Sequence, residues 1–273
     1  MRRTLTLLAL LAVPAMASAQ ASESTSSSSA PPIQDNSFLV EEAYNQEAGV
    51  VQHITTFHTR RGSSDFDASF TQEWPFRTIR HQLSFDIPIS RTGSATGIGD
   101  VGINYRYQLT GDGDAQLAVA PRITLILPTG DWKRSRGNGA VGVEANLPVS
   151  YVLSPLLVTH LNVGASHTPS ARNSLGERAG ISEWFVAQSV ILIASQAIQP
   201  MLEAVYSRGR EVTGEDATSR TESFLLSPGL RAAFNFASGP QIVPGIAVPL
   251  GLGPSKGERG VFFYLSLEHS FTR

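Results

Sequence analysis

The chain has 273 residues, a formal net charge of −2 and no cysteine. Disulfides, thiolate metal sites and cysteine nucleophiles are therefore excluded, and a near-neutral chain without a basic stripe argues against a nucleic-acid partner. A hydrophobic content of 41% suits a soluble β-protein and a membrane barrel equally, because only alternate residues of a barrel strand face lipid.

The chain begins with the positive Met1-Arg2-Arg3, an apolar run from Leu5 to Val13, Pro14, and the small-x-small Ala17-Ser18-Ala19. This pattern predicts a secretory signal peptide over residues 1–19 and Sec-type export. The apolar run is too short for a membrane anchor. Loss of Arg2 and Arg3 would leave 19 basic against 23 acidic residues, a mature charge of −4. Residues 20–34 are Ser-rich, have little to bury, and read as a disordered leader. Residues 35–49 read as a short helix or loop, with Phe38, Leu39, Ala43 and Tyr44 apolar and Glu41, Glu42 and Glu47 charged. Two placements stay open for this segment: a tether outside the domain that follows, or a small plug inside it, as larger barrels carry.

Residues 50–273 carry about twelve strand-like segments, and four of them show the pattern plainly. Ile79, Leu83, Phe85, Ile87 and Ile89 share one parity; Arg80, Gln82, Ser84 and Asp86 take the other. Val101, Ile103, Tyr105, Tyr107 and Leu109 alternate with Gly102, Asn104, Arg106 and Gln108. The stretches around Val143 and Phe263 repeat it. Strand side chains point alternately to opposite faces, so each strand has one apolar and one polar side. The segment from Ile181 to Ile193 is apolar on both sides and is the weakest strand of the set.

Connectors alternate in length. Thr59–Asp65, Ser90–Asp100, Pro128–Gly139, His167–Gly180, Gly209–Ser219 and Gly251–Gly260 are long and polar, and the links between them are short. That rhythm predicts an all-β fold: a single transmembrane antiparallel β-barrel in a bacterial outer membrane, with short periplasmic turns, longer outer loops and both termini periplasmic. Lipid leaves unpaired backbone groups unsatisfied, so a barrel must close. Aromatic girdles are expected at both interfaces, with Trp184, Tyr206, Phe262 and Phe263 toward the outer one. A periplasmic β-sandwich also has short alternating strands, but it does not require connectors that alternate around the whole chain.

Gly97-Ile98-Gly99-Asp100-Val101-Gly102 is a literal GxGxxG, but an alternating strand follows it where a dinucleotide site needs a helix. The six histidines form no close ligand set. His167-Thr168-Pro169-Ser170 is the nearest candidate for a hydrolase pair, and its spacing and proline make it a poor one. No catalytic residue, cofactor or metal is expected. Polar-face charges are more informative. Glu73, Arg80, Asp86, Arg106, Arg122, Glu144, Glu203, Arg231 and Glu268 fall on the inferred lumen side, because charges facing lipid at mid-depth are costly. They read either as ion pairs filling a narrow interior or as the lining of a selective passage.

Three stretches carry a family resemblance: Gly97-Ile98-Gly99-Asp100-Val101-Gly102-Ile103-Asn104-Tyr105-Arg106-Tyr107, then Ile126-Leu127-Pro128-Thr129-Gly130-Asp131, then Gly137-Asn138-Gly139. In order and spacing they resemble the outer-membrane family labelled "MetA-pathway of phenol degradation". The resemblance covers Val50 to Arg273. It implies a small outer-membrane barrel that passes hydrophobic or aromatic compounds, and it assigns no binding residue. The expected partners are outer-membrane lipid, the barrel-assembly machinery during biogenesis, and a small-molecule solute. A closed structural or surface-binding barrel is the alternative, and a barrel-rim lipid hydrolase is a third class.

Overall fold

The computed structural model describes residues 36–113, 115–195, 197–237 and 239–271. The signal peptide and the Ser-rich leader lie outside the described residues. Twelve strands form the wall: β1 Val50–Arg60, β2 Phe66–Phe76, β3 Thr78–Thr92, β4 Val101–Tyr107, β5 Arg122–Leu127, β6 Gly142–Ser154, β7 Leu157–Arg172, β8 Arg178–Leu192, β9 Ile198–Gly214, β10 Ala217–Ala232, β11 Gln241–Ala247 and β12 Gly260–Ser270. Each pairs antiparallel with its chain neighbours, and β12 pairs with β1 from Val50↔Ser270 to Arg60↔Gly260, which closes the ring.

Three wall strands are interrupted. Ala95–Ile98 continues β4 along β3, Leu117–Val119 continues β5 along β6, and Leu250–Gly251 continues β11 along β10. Pro121 and Pro249 stand in two of the gaps; proline has no N–H for the ladder.

Burial is inverted relative to a water-soluble protein. Ile103, Tyr105, Ile123, Leu125, Val143, Val163, Leu202, Leu230 and Phe263 are exposed, while Gln52, Gln82, Asn104, Arg106, Asn162, Ser189, Glu203 and Arg231 are buried. Only a lipid-facing exterior makes that arrangement favourable, so the barrel spans a membrane. Among the described residues no helix is long and apolar enough to cross one; the strands do so.

Both described termini meet at one end, where the Phe271 amide donates to the Gly49 carbonyl at 2.9 Å. Tight links lie at this near end, including Arg77 alone between β2 and β3 with a φ of 64°. The far end carries the wider connections. Three expected loops are largely strand there: Ser90–Asp100 pairs as a hairpin through Ser90↔Gly97 and Thr92↔Ala95, His167–Gly180 is ladder up to Arg172↔Arg178, and Gly209–Ser219 is ladder through Arg210↔Arg220 and Val212↔Thr218. These residues project past the apolar band. Both faces meet water there, both can be polar, and the period-two signal vanishes although the hydrogen-bonded ladder continues.

Candidate functional site

Residues 36–47 form no helix. They follow the inner wall just inside the near end, touching strands in nearly reverse chain order. Ser37 Oγ donates to Ser189 Oγ on β8 at 2.8 Å, and the Leu39 amide donates to Glu203 Oε1 on β9 at 2.7 Å. Arg231 on β10 donates to the Asn36 carbonyl at 2.8 Å. On β7, the Asn162 side chain accepts from the Glu41 amide at 2.8 Å and donates to the Glu41 carbonyl at 2.9 Å. Ser150 Oγ on β6 accepts from the Ala43 amide at 2.7 Å. Beyond β4, Gln108 accepts from the Asn45 amide at 2.9 Å and donates to the Ala43 carbonyl at 2.6 Å. Gln82 on β3 accepts from the Gln46 amide at 2.8 Å.

This hoop satisfies its backbone with wall side chains, as buried amides require in the absence of a neighbouring strand. Tyr44 donates its hydroxyl to the Ala115 carbonyl at 2.9 Å. Burial first, and the nearby Glu42 carboxylate second, push its phenol up to about 12.

Phe38 anchors the hoop's first turn. Its ring lies 5.3 Å from that of Tyr264 and 5.9 Å from that of Phe262, among Ile54, Ile191, Met201, Val243 and Ala247. This cluster corrects the placement of Phe262: it faces inward, on the parity of Tyr264, and belongs to no outer girdle. It also accounts for the near end of β8, where Ile191 turns an apolar side chain inward on the same parity as Ser189.

The nine candidate charges divide by depth. Arg106 is buried and donates to the carbonyls of Glu42 and Tyr44 and to Asn45 Oδ1 at 2.7–3.2 Å, with Glu73 3.8 Å away. Glu73 also accepts from Gln82 at 2.6 Å. Arg122 joins Glu144 on the wall at 2.7 Å to Glu41 on the hoop at 2.8 Å. Asp86 accepts from Asn104 at 3.0 Å, and Arg231 donates to Gln199 at 2.8 Å. Glu203 holds the hoop as described. Glu268 is half-buried, opposite Gln52 in the closure register. Arg80 is exposed at the near end. Charge alone does not point to Gln82, Gln108, Ser150 and Asn162, which hold as much of the hoop as the ions do. A run of amide and hydroxyl side chains on the inward parity is the signal for them.

At the far end the three glycine-rich stretches converge. Asp100 accepts from the Gly130 amide at 3.0 Å and the Asn138 amide at 2.7 Å. Thr129 bridges the Gly99 carbonyl at 2.8 Å and the Val101 amide at 3.0 Å. A Cβ on Gly137 would fall 2.8 Å from the Asp100 carboxyl carbon, and one on Gly97 would fall 2.7 Å from Arg136 Nε. The GxGxxG thus shapes a junction: it spans the break between the paired segment Ala95–Ile98 and β4.

This knot stands between two spaces that share Asp100. Outside it is a vestibule of about 710 Å³, lined by Trp132, Arg136, Arg172 and Glu183 among others. Inside is a lumen cavity of about 410 Å³ whose wall includes Asn104, Arg122 and Glu144, with Asn36–Glu41 along one side. His167 Nδ1 bonds to Ser182 Oγ at 2.8 Å rather than to Ser170. Among the described residues no group of three or more His, Asp or Glu side chains is placed to hold a metal ion.

A family model described as "Putative MetA-pathway of phenol degradation" matches residues 28–246. No curated protein matches the chain. Among solved structures, an outer membrane channel from Pseudomonas putida F1 is similar at 15% identity with a TM-score of 0.63, over 84% of this chain and 98% of that one. The NanC porin is similar at 8% identity with a TM-score of 0.54, over 80% of this chain and 100% of that one. Likeness at such identity extends to the fold.

Proposed function

The chain belongs to the family of the MetA-pathway of phenol degradation, and from that premise we propose that it is an outer-membrane passage for small molecules, hydrophobic and aromatic ones among them. One observation carries the reading: a vestibule and a lumen cavity follow one another along the barrel, sharing Asp100, and the inner one ends against residues 36–41. Such a route needs no catalytic group; width and lining do the work. In this reading the far end faces outward and both termini are periplasmic, as the tight near-end links support. The solute enters the vestibule, passes the glycine knot and meets the hoop, which acts as the inner gate. Glu73, Asp86, Arg106, Arg122, Glu144, Glu203, Arg231 and Glu268 serve it in two ways, some lining the cavity and some holding the gate.

The test compares the full chain with a deletion of residues 36–47, both folded into planar bilayers and into liposomes. The deletion should give large, reproducible unitary conductance steps and rapid phenol entry, and the full chain smaller steps and slower entry. Silence and phenol exclusion from both, with barrels that stay folded, would replace the passage by a closed structural barrel.

A further inference from the structure

The lumen wall is polar almost throughout, yet six strands combine to build one apolar pocket inside it. Ile54 comes from β1, Ile191 from β8, Met201 from β9, Val243 and Ala247 from β11, and Phe262 and Tyr264 from β12. β10 contributes Gly229, and β11 contributes Gly245. A Cβ on Gly229 would lie 2.6 Å from Phe38 Cε2, and one on Gly245 would collide with Cε1 and Cζ of the same ring. Two neighbouring strands thus give up their side chains where a flat ring lies. The pocket is shaped to one six-membered aromatic ring and is filled by Phe38, which is 7% exposed.

Phe38 in this pocket is the bulky apolar anchor of the hoop's first turn. The rest of residues 36–47 is held mainly by hydrogen bonds from wall side chains that water could replace, with Ala43 and Tyr44 also packed against Ala118 and Ala120. The pocket is not sealed from the route: Phe38, Ile54 and Tyr264 all line the lumen cavity. A solute ring in that cavity lies against the ring that occupies the pocket.

Resting on the passage reading, we propose that this pocket is the route's binding subsite for monocyclic aromatic molecules, and that Phe38 is its resident occupant. A solute ring takes the place of the Phe38 ring. It recovers the offset and tilted contacts with Phe262 and Tyr264 that such pairs favour, and it frees Asn36–Glu41 from the wall. The gate is thereby opened by the class of molecule it admits. A saturated ring of similar size gains the burial but not the aromatic contacts, and a sugar gains neither.

The absence of cysteine supplies the test, since one introduced thiol is unique. Val40 is 1% exposed, and Val40→Cys is a small apolar exchange on the hoop itself. Maleimide labelling of this variant in proteoliposomes should be slow. Toluene should accelerate it saturably by at least about tenfold, while methylcyclohexane should do so weakly and sucrose not at all. Adding Gly245→Ala, which places a methyl group where the ring lies, should make labelling fast without solute and insensitive to toluene. Phe38→Ala should do the same in case the glycine variant does not fold, with folding of each checked by heat-modifiable migration. Equal labelling rates with and without toluene would overturn the proposal, as would equal acceleration by methylcyclohexane. Phenol entry into the same liposomes separates the two readings. Entry with unchanged labelling keeps the passage and removes the pocket from it; saturable labelling without entry keeps the aromatic site and removes the passage.

Discussion

The near-end hoop and the far-end knot solve the same problem, fixing an irregular segment across a barrel mouth, by opposite means. The knot is local and intolerant. One carboxylate, Asp100, collects amides from Gly130 and Asn138, and glycines stand where any side chain would collide. The hoop is dispersed. Its backbone is gripped by amides, hydroxyls and ions spread over β3 to β10, and its buried side chains, Phe38, Val40, Ala43 and Tyr44, are spaced along it. A structure built on close approach leaves a motif in the sequence; one built on scattered polar partners leaves almost none.

Arg106→Met is the strongest way to break the hoop. It removes three hydrogen bonds to the segment and the cation facing Glu73, and loss of one partner from a buried charged set costs about 3–5 kcal/mol. Residues 42–46 should exchange amide hydrogens freely while the wall stays protected. If the wall melts with them, the hoop is structural cement rather than a separable part.

Asp100→Ala attacks the knot. Two bonds to a carboxylate are lost, at about 1.5–3 kcal/mol each, so protease cutting within Pro128–Gly139 should rise steeply and hoop protection should not change. A rise at both ends would show that the two mouths are coupled.

A pH titration distinguishes them further, since Tyr44 belongs to the hoop alone. Burial holds its folded pKa above the ordinary phenol value of 10.0, at about 12. The neutral phenol is the form that donates to Ala115, so docking is unaffected below pH 10 and weakens as pH rises from 10 towards 12. Hoop amides should lose protection in that window, and in Tyr44→Phe they should not.

The smallest effect is expected from Glu41→Gln, which removes one partner of Arg122 and leaves Glu144. The pair is partly solvated, so the change should be at most about 1 kcal/mol, read as a modest rise in hoop exchange that high salt reproduces in the native chain.

Much of the wall was legible because lipid on one side and water on the other force period two. Val101 to Gln108 shows it residue by residue. Legibility fails where that contrast fails. Beyond the apolar band, Gly209–Ser219 meets water on both faces and reads as a loop although it is ladder. Beside Phe38, Ile191 and Phe262 turn apolar side chains inward, so β8 loses its alternation at its near end and Phe262 reads as a girdle residue. The glycine stretches were legible as a family pattern, but their joint product depends on Asp100 meeting a loop some thirty residues later. For the site, charge identified Arg106, Arg122 and Glu203, while Gln82, Gln108 and Asn162 looked like ordinary polar-face residues.

The hoop's partners also impose an order of assembly. Ser37 meets Ser189 across 152 residues, Leu39 meets Glu203 across 164, and Asn36 meets Arg231 across 195. Contacts so distant in sequence form late, after the intervening chain has been placed. The amino-terminal side of the domain, though made first, can therefore settle only after β8, β9 and β10 are in the wall. A stalled intermediate carries it as a loose strand end open to proteolysis, and only a completed ring withdraws it from reach.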